Sequence, residues 1–346
     1  EVTADTPDQF FKIPKDLPRN RLGLAQWLIH EENPLFARVM VNRMWQRYFG
    51  KGLVVSAEDF GNQGDLPTHL ELLDYLAVKF RESGWNYKAL QKYIVMSATY
   101  RQSSVCDDKL RELDPNNSLY ARGPSYRISA EQVRDAALAA SGLLSSKIGG
   151  PSVHPYQPDG IWEALATRNA VQYVQNHGDT LYRRSMYTIW KRSSPPPMML
   201  NFDASERHFC SVRRQKTSTP LQALVTLNDP QFVEAARVLA QKSVEGRMQN
   251  VEVKNPIRQS AFDPRHSINY IFTSLTSRPP RQSELEAMTQ LYKEEYQDFS
   301  KNPKRADELL SVGEYPVDKS LNKNELAAMT IVASTIMNFD EFVIKR

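Results

Sequence analysis

The stretch CSVRRQKTSTPLQALVTLNDPQF, residues 210–232, gathers Arg213, Arg214 and Lys216, with Arg207 just upstream. A guanidinium grips a carboxylate, phosphate or sulfate through two parallel N–H bonds. Thr217, Ser218 and Thr219 add hydroxyl donors, and Pro220 sits where a helix should begin. The free amides of a helix start attract anions. Arg213, Arg214, Lys216, Thr217 and Thr219 therefore form a candidate anion subsite. The competing reading pairs these arginines internally with acids such as Asp203 and Glu206, and both readings stand at this stage. Thr219, Pro220 and Gln222 have the spacing of a capping box, which accounts for TPLQ without any function. The basic VRRQK is not explained by capping.

NFDASERHFC, residues 201–210, places Asp203, Glu206 and His208 close in sequence. Two carboxylates and an imidazole are the groups that acid–base hydrolysis uses. The alternative is a set of loop acids balancing the arginines. Trp45, Tyr187 and Trp190 are candidate stacking surfaces for a planar or sugar ligand. Trp45 lies on a stretch where Arg38, Asn42 and Trp45 recur at helical spacing, a pattern equally suited to arginines lying over a core. The six histidines are scattered and form no H-x-x-x-H or H-E-x-x-H, so no metal site is expected. Cys106 and Cys210 form no C-x-x-C-H, so no haem is attached to this chain; one disulfide and two thiols both fit.

Helices must position these groups. Asn33 and Pro34 open a helix that Gly50 closes. Thr68 with Glu71, Ser129 with Gln132, Ser283 with Glu286 and Asn322 with Glu325 read as further helix starts. Additional helices are expected near 21–31, 87–98, 230–243 and 264–276. The best strand candidate is RRSMYTIWKR, 183–192. Residues 146–182 are rich in Gly, Pro and aromatics and read as a long ordered loop, of the kind that is functional or wrapped over a surface. The expectation is a mainly α, multi-helix domain with long ordered loops and a small β element near 183–192. An extended arm, 1–19, precedes one domain, 20–346, made of a helical lobe (20–145), a loop-rich connection (146–200) and a second helical lobe (201–346).

The chain has 346 residues, 41% hydrophobic and 24% charged, an ordinary globular composition. Its 44 basic and 40 acidic residues nearly balance, which does not point to a nucleic-acid partner. Nothing approaches the 18 apolar residues of a membrane span. The first twenty residues show no signal-peptide core, and the missing Met reads as an internal start.

In order along the chain, RLGLAQWL, NPLFARVMVNRMWQRYFGKGLV, DFGNQGDLPTHLELLDYLAVKF, SGWNYKALQKYIVMSATYRQSS, GGPSVHPYQPDGIWE, LYRRSMYTIWKRSSPPPMMLNFDA, RRQKTSTPLQALVTLNDPQFVEAARVLA and SRPPRQSELE resemble the C-terminal domain of unknown function in large planctomycete cytochrome-associated proteins. The resemblance runs from about Arg21 to the end. It implies a secreted or surface multidomain chain, hence an extracytoplasmic location. It implies a c-type cytochrome module as companion, with any haem c on that partner, and a redox or polysaccharide-related setting. No reaction is carried over with it. The expected role is to bind or process an anionic ligand, such as an acidic or sulfated glycan, or to dock a cytochrome partner without catalysis. Lys216 stands where the family often has Arg, which weakens two-pronged anion binding there.

Overall fold

The computed structural model describes residues 5–7, 9–164, 172–254 and 263–345, with the backbone alone for 246–254. Two compact units result, the first ending at Tyr126 and the second formed by Arg127–Lys345. Both are mainly α. The described strands are two-residue pieces, Tyr126–Arg127 and Ile344–Lys345. Around 183–192 the expected β element is reduced to isolated bridges, such as Val153 with Thr188, beside a 3-10 turn at Ser185–Tyr187. That segment makes its hydrogen bonds singly, to a neighbouring loop.

In the first unit, helices Phe36–Phe49, Leu70–Glu82 and Tyr87–Val95 bury Val41, Trp45, Phe49, Leu73, Leu76, Phe80, Leu90 and Ile94 together. The arm before them folds onto Trp27, whose ring stacks on Phe11 at 5.3 Å and whose Nε1 donates to the Phe11 carbonyl at 2.9 Å. Asn33 is not the N-cap: its Oδ1 accepts from the Leu35 and Phe36 amides, but the helix begins at Phe36, two residues after Pro34, with Leu35 in the cap position. Gly50, with φ of 80°, ends it. Thr68 makes no capping box. Its hydroxyl donates to the Leu53 carbonyl, and the helix starts at Leu70.

Fully buried Asn42 does the work of a strand neighbour. Its Oδ1 accepts from the Val54 amide at 2.9 Å, and its Nδ2 donates to the Val54 carbonyl at 3.0 Å. A Cβ on Gly52 would fall 2.5 Å from Asn42 Oδ1, so the loop passes there only as glycine.

In the second unit, Pro230–Lys254 and Lys323–Met337 form the centre. Ala235, Ala236 and Ala240 on one, with Ala327, Ala328 and Ala333 on the other, are buried in a single core. Small side chains let the two backbones approach closely. Phe232, Leu239, Ile268, Phe272 and Ile336 fill the remaining space. The helix opened by the Ser129–Gln132 capping box, grouped with the N-terminal lobe from sequence, packs within this second unit. Helix Gln282–Lys301 starts one residue before Ser283, and Glu284 is its capping acid, accepting from the Arg281 amide at 2.7 Å.

Arg278 bridges Glu284, at 2.7 and 2.8 Å, and Glu341, at 2.7 Å. Arg278 and the helix-start amide hold the Glu284 carboxyl down at about 2. A carboxyl with a depressed folded value adds stability above its ordinary range and loses it as pH falls. Two outcomes follow. Asn42→Ala, which strands both polar groups of Val54, should cost about 3 kcal/mol in denaturant unfolding. Glu284→Gln should cost on the order of 2 kcal/mol at pH 7, after solvent screening, and its deficit should shrink from pH 4.5 and vanish near pH 2.

Candidate functional site

Helix Ala130–Ser141 buries Ala130, Val133, Ala137, Leu138 and Ser141, and Arg134 falls on that same face. The guanidinium is almost wholly out of water, and every one of its nitrogens is bonded. Nε bonds Gln231 Oε1, Nη1 bonds the Arg183 carbonyl (2.8 Å) and Ser185 Oγ (3.3 Å), and Nη2 bonds the Leu181 carbonyl (2.8 Å). Burial lowers its pKa to about 10, so it remains a cation at neutral pH. Arg183 treats the same loop alike. It donates to the Pro151, Lys147 and Gly149 carbonyls and lies over the Tyr187 ring at 3.8 Å. The long stretch 146–200 is thus held by arginines rather than by a sheet.

Gln231 joins Arg134 to Asp229. The Gln231 amide donates to Asp229 Oδ1 at 3.0 Å and its Nε2 lies 3.4 Å from the same oxygen. Asp229 precedes Pro230, the first residue of the long helix, where a carboxylate caps free amides. Burial pushes its carboxyl up, and Gln231 and Arg134 pull it only part of the way back. These groups line a cavity of about 170 Å³. Its other walls come from the long loop (Pro155, Tyr156, Thr188) and from Met198, Met199 and Val225.

Tyr156 is itself positioned from behind. Its oxygen accepts from the Glu314 amide at 3.0 Å, and the Glu314 and Tyr315 amides also donate to buried Glu234 at 2.6 Å. Tyr182 donates to the same carboxylate oxygen at 2.9 Å. Gly313, at φ of 86°, passes so close that a Cβ would sit 2.3 Å from Glu234 Cδ.

A family model described as PSD1, protein of unknown function (DUF1553), matches residues 20–292. The chain belongs to this family. No curated protein and no solved structure matches it. All of the PSD1 cavity residues, from Arg134 to Gln231, lie inside the matched stretch.

The residues singled out from sequence are spread over this PSD1 domain. Trp45 is in the core of the first unit, stacked on Phe49 at 4.2 Å, and has no open face to offer a ligand. Tyr187 carries Arg183 on its ring and accepts from the Gly149 amide at 2.8 Å. Trp190 carries Arg207 at 4.6 Å, and its Nε1 donates to the Glu206 carbonyl at 3.2 Å. Asp203, in the left-handed region at φ of 57°, pairs with buried Arg127 and accepts from the Thr217 amide (2.8 Å) and hydroxyl (3.0 Å). Glu206 and His208 are exposed, and among the described residues no bond links them to Asp203.

Residues 206–220 are exposed throughout, Arg213, Lys216 and Thr219 included. Arg214 is paired, but with Glu131, through two bonds of 2.8 and 2.9 Å, rather than with Asp203 or Glu206. Thr219 makes no side-chain cap, and Gln222 turns inward to the Asn201 carbonyl (2.9 Å) and Thr217 Oγ1 (3.3 Å). The capping-box account of TPLQ is therefore replaced: Pro220 starts the helix and Gln222 anchors it. Among the described residues no group of three His, Cys, Asp or Glu could hold a metal ion, and Cys106 and Cys210 are free thiols.

Sequence reasoning missed Arg134, Thr188, Asp229 and Gln231. Arg134 had a signal, a charge on the apolar face of a well-capped helix. Asp229 had one in Asp-Pro before a helix. Thr188 had none. Asp203 is the acid that ties the exposed segment down. Asp203→Ala should leave Arg127 charged and buried, cost about 3 kcal/mol, and release Thr217. Limited trypsin digestion should then cut at Arg213 and Arg214 about tenfold faster than in the parent.

Proposed function

We propose that this domain is a non-catalytic docking element of a larger assembly, and that helix Pro220–Asn228 with the basic segment before it is its docking surface. The observation that carries this reading is the helix's inverted pattern. Its buried side chains are polar, Gln222 and Thr226, the latter bonded to Asn338 Oδ1 at 2.9 Å. Its leucines are exposed, Leu221 at 59%, Leu224 at 54% and Leu227 at 39%. Phe209 and Val212, on the segment leading into it, are exposed as well. A surface helix normally turns such leucines inward, and clustered exposed apolar groups mark interaction sites.

The flanking charge indicates the partner's chemistry. Within residues 206–219 Arg207, Arg213, Arg214 and Lys216 stand with one acid, Glu206, and Glu131 compensates Arg214 from outside the segment. An apolar patch with an acidic rim would complement both features. The resemblance to planctomycete cytochrome-associated proteins supports a c-type cytochrome module as that companion, carrying haem c, in an extracytoplasmic setting. Among the described residues no helix is long and apolar enough to cross a membrane.

A second reading keeps the basic segment and drops the leucines: binding of an anionic ligand such as an acidic or sulfated glycan at Arg213, Lys216 and Thr219. The unbroken exposure of 206–220 favours it. Asp203 has no place in either reading as a proton donor, because its oxygens are engaged by Arg127 and Thr217.

One experiment separates the two. Binding to a purified c-type cytochrome module is measured by sedimentation, and retention on a sulfated-glycan column is measured in parallel. Leu221→Ser with Leu224→Ser should weaken cytochrome binding at least about tenfold and leave glycan retention and Tm nearly unchanged, as exposed substitutions do. Cytochrome binding that survives this pair rejects docking through the helix. Glycan retention that is lost only in Arg213→Ala with Arg214→Ala establishes the second reading instead.

A further inference from the structure

The cavity beside Arg134 is larger than the voids a close-packed core leaves. Its volume of about 170 Å³ is comparable to the roughly 150 Å³ of an apolar cavity that takes up benzene. Met198, Met199, Val225, Pro196 and Pro197 make its walls mainly apolar, and methionine adapts to a guest's shape. Its lining runs from fully buried Arg134 to exposed Pro158, so the cavity reaches the surface.

Two polar atoms in this wall lack a protein partner. Thr188 is only 6% exposed, yet its hydroxyl makes no hydrogen bond among the described residues. Asp229 spends Oδ1 on Gln231, and its Oδ2 accepts nothing among the described residues. Each Arg134 nitrogen is already bonded to Gln231 or the loop, which uses four of its five N–H groups and leaves one on Nη2. Its contribution to the cavity is mainly charge. An anion would meet the Asp229 carboxylate and a cation would meet the Arg134 charge.

We propose that this cavity binds a neutral, mainly apolar small molecule of about the size of phenol, which donates a hydrogen bond to Asp229 and meets the Thr188 hydroxyl. Recognition then has two parts. The walls admit the ring or aliphatic body, and the Asp229–Thr188 pair selects guests that carry an O–H or N–H. The site is independent of the docking surface, which uses the exposed face of helix Pro220–Asn228.

The test uses the full chain with 13C-methyl methionine, titrated with phenol, toluene and benzoate while the Met198 and Met199 methyl signals are followed. Met198→Leu and Met199→Leu assign the signals. Phenol should shift both saturably and bind about tenfold more tightly than toluene, the advantage of one hydrogen bond to a charged acceptor. Benzoate should shift neither. Asp229→Asn keeps a side-chain oxygen to cap the helix but should abolish the preference for phenol. Thr188→Val, close in shape, should weaken phenol severalfold and leave toluene unchanged. Absence of a saturable phenol shift, equal affinity for phenol and toluene in the parent, or a phenol preference intact in both variants would overturn the proposal.

Discussion

The buried guanidinium of Arg134 is the constraint on which the second unit depends. A cation taken out of water is costly unless its donors are matched. Here Gln231, Ser185 and the carbonyls of Leu181 and Arg183 match them. The dependence is mutual. The described residues of 146–200 have few internal ladders, and their buried carbonyls need donors that no described sheet supplies. Arg134 and Arg183 provide those donors from fixed points, and the loop is ordered by them. Removing either arginine would orphan several carbonyls at once, which is a different injury from losing a surface ion pair.

Glu234 completes the same arrangement with opposite charge. Set on the long helix, it gathers the Tyr182 hydroxyl and the amides of Glu314 and Tyr315. Burial and this carboxylate raise the Tyr182 and Tyr156 hydroxyl pKa values, so both phenols stay protonated at neutral pH. Asn42 plays a comparable part in the first unit, where its amide satisfies both polar groups of Val54. In each case a helix supplies one buried polar side chain, and that side chain replaces the strand an irregular segment lacks. The fold can therefore be mainly α while keeping long loops in place.

This economy explains what sequence could and could not disclose. Helices were legible because their signals are local. Ser129 with Gln132, and Asn322, act as caps where their types and spacing placed them, and Asn33 holds the turn just before its helix. The exact starts at Thr68 and Ser283 were not, because nearby groups compete for the same bonds: Leu53 takes the Thr68 hydroxyl, and Glu284 serves the Arg281 amide. The cavity was hidden for a stronger reason. Arg134, Thr188 and Asp229 come from three parts of the chain, and only the folded loop brings them together. The exposed run VRRQK drew notice because its charges are adjacent in sequence. Arg134 and Arg183, which do more for the structure, stand between Val133 and Asp135 or beside one ordinary arginine.

Helix Pro220–Asn228 shows how a periodic pattern can be read on the wrong face. Its leucines and its Gln222–Thr226 pair each recur at helical spacing, so either set could have been the buried one. Hydrophobicity alone selects the leucines. The choice is reversed because two side-chain bonds, Gln222 to the Asn201 carbonyl and Thr226 to Asn338, are available only on the polar face. Each is modest when exchanged against water. Burying Leu221 and Leu224 instead would strand Gln222 and Thr226 outside and leave Asn201 and Asn338 unanswered within. The inversion is stable only if the outward leucines cost little, and that condition is best met when another surface covers them. The pattern that made this helix ordinary in sequence is thus the one that leaves its leucines outside in the folded chain.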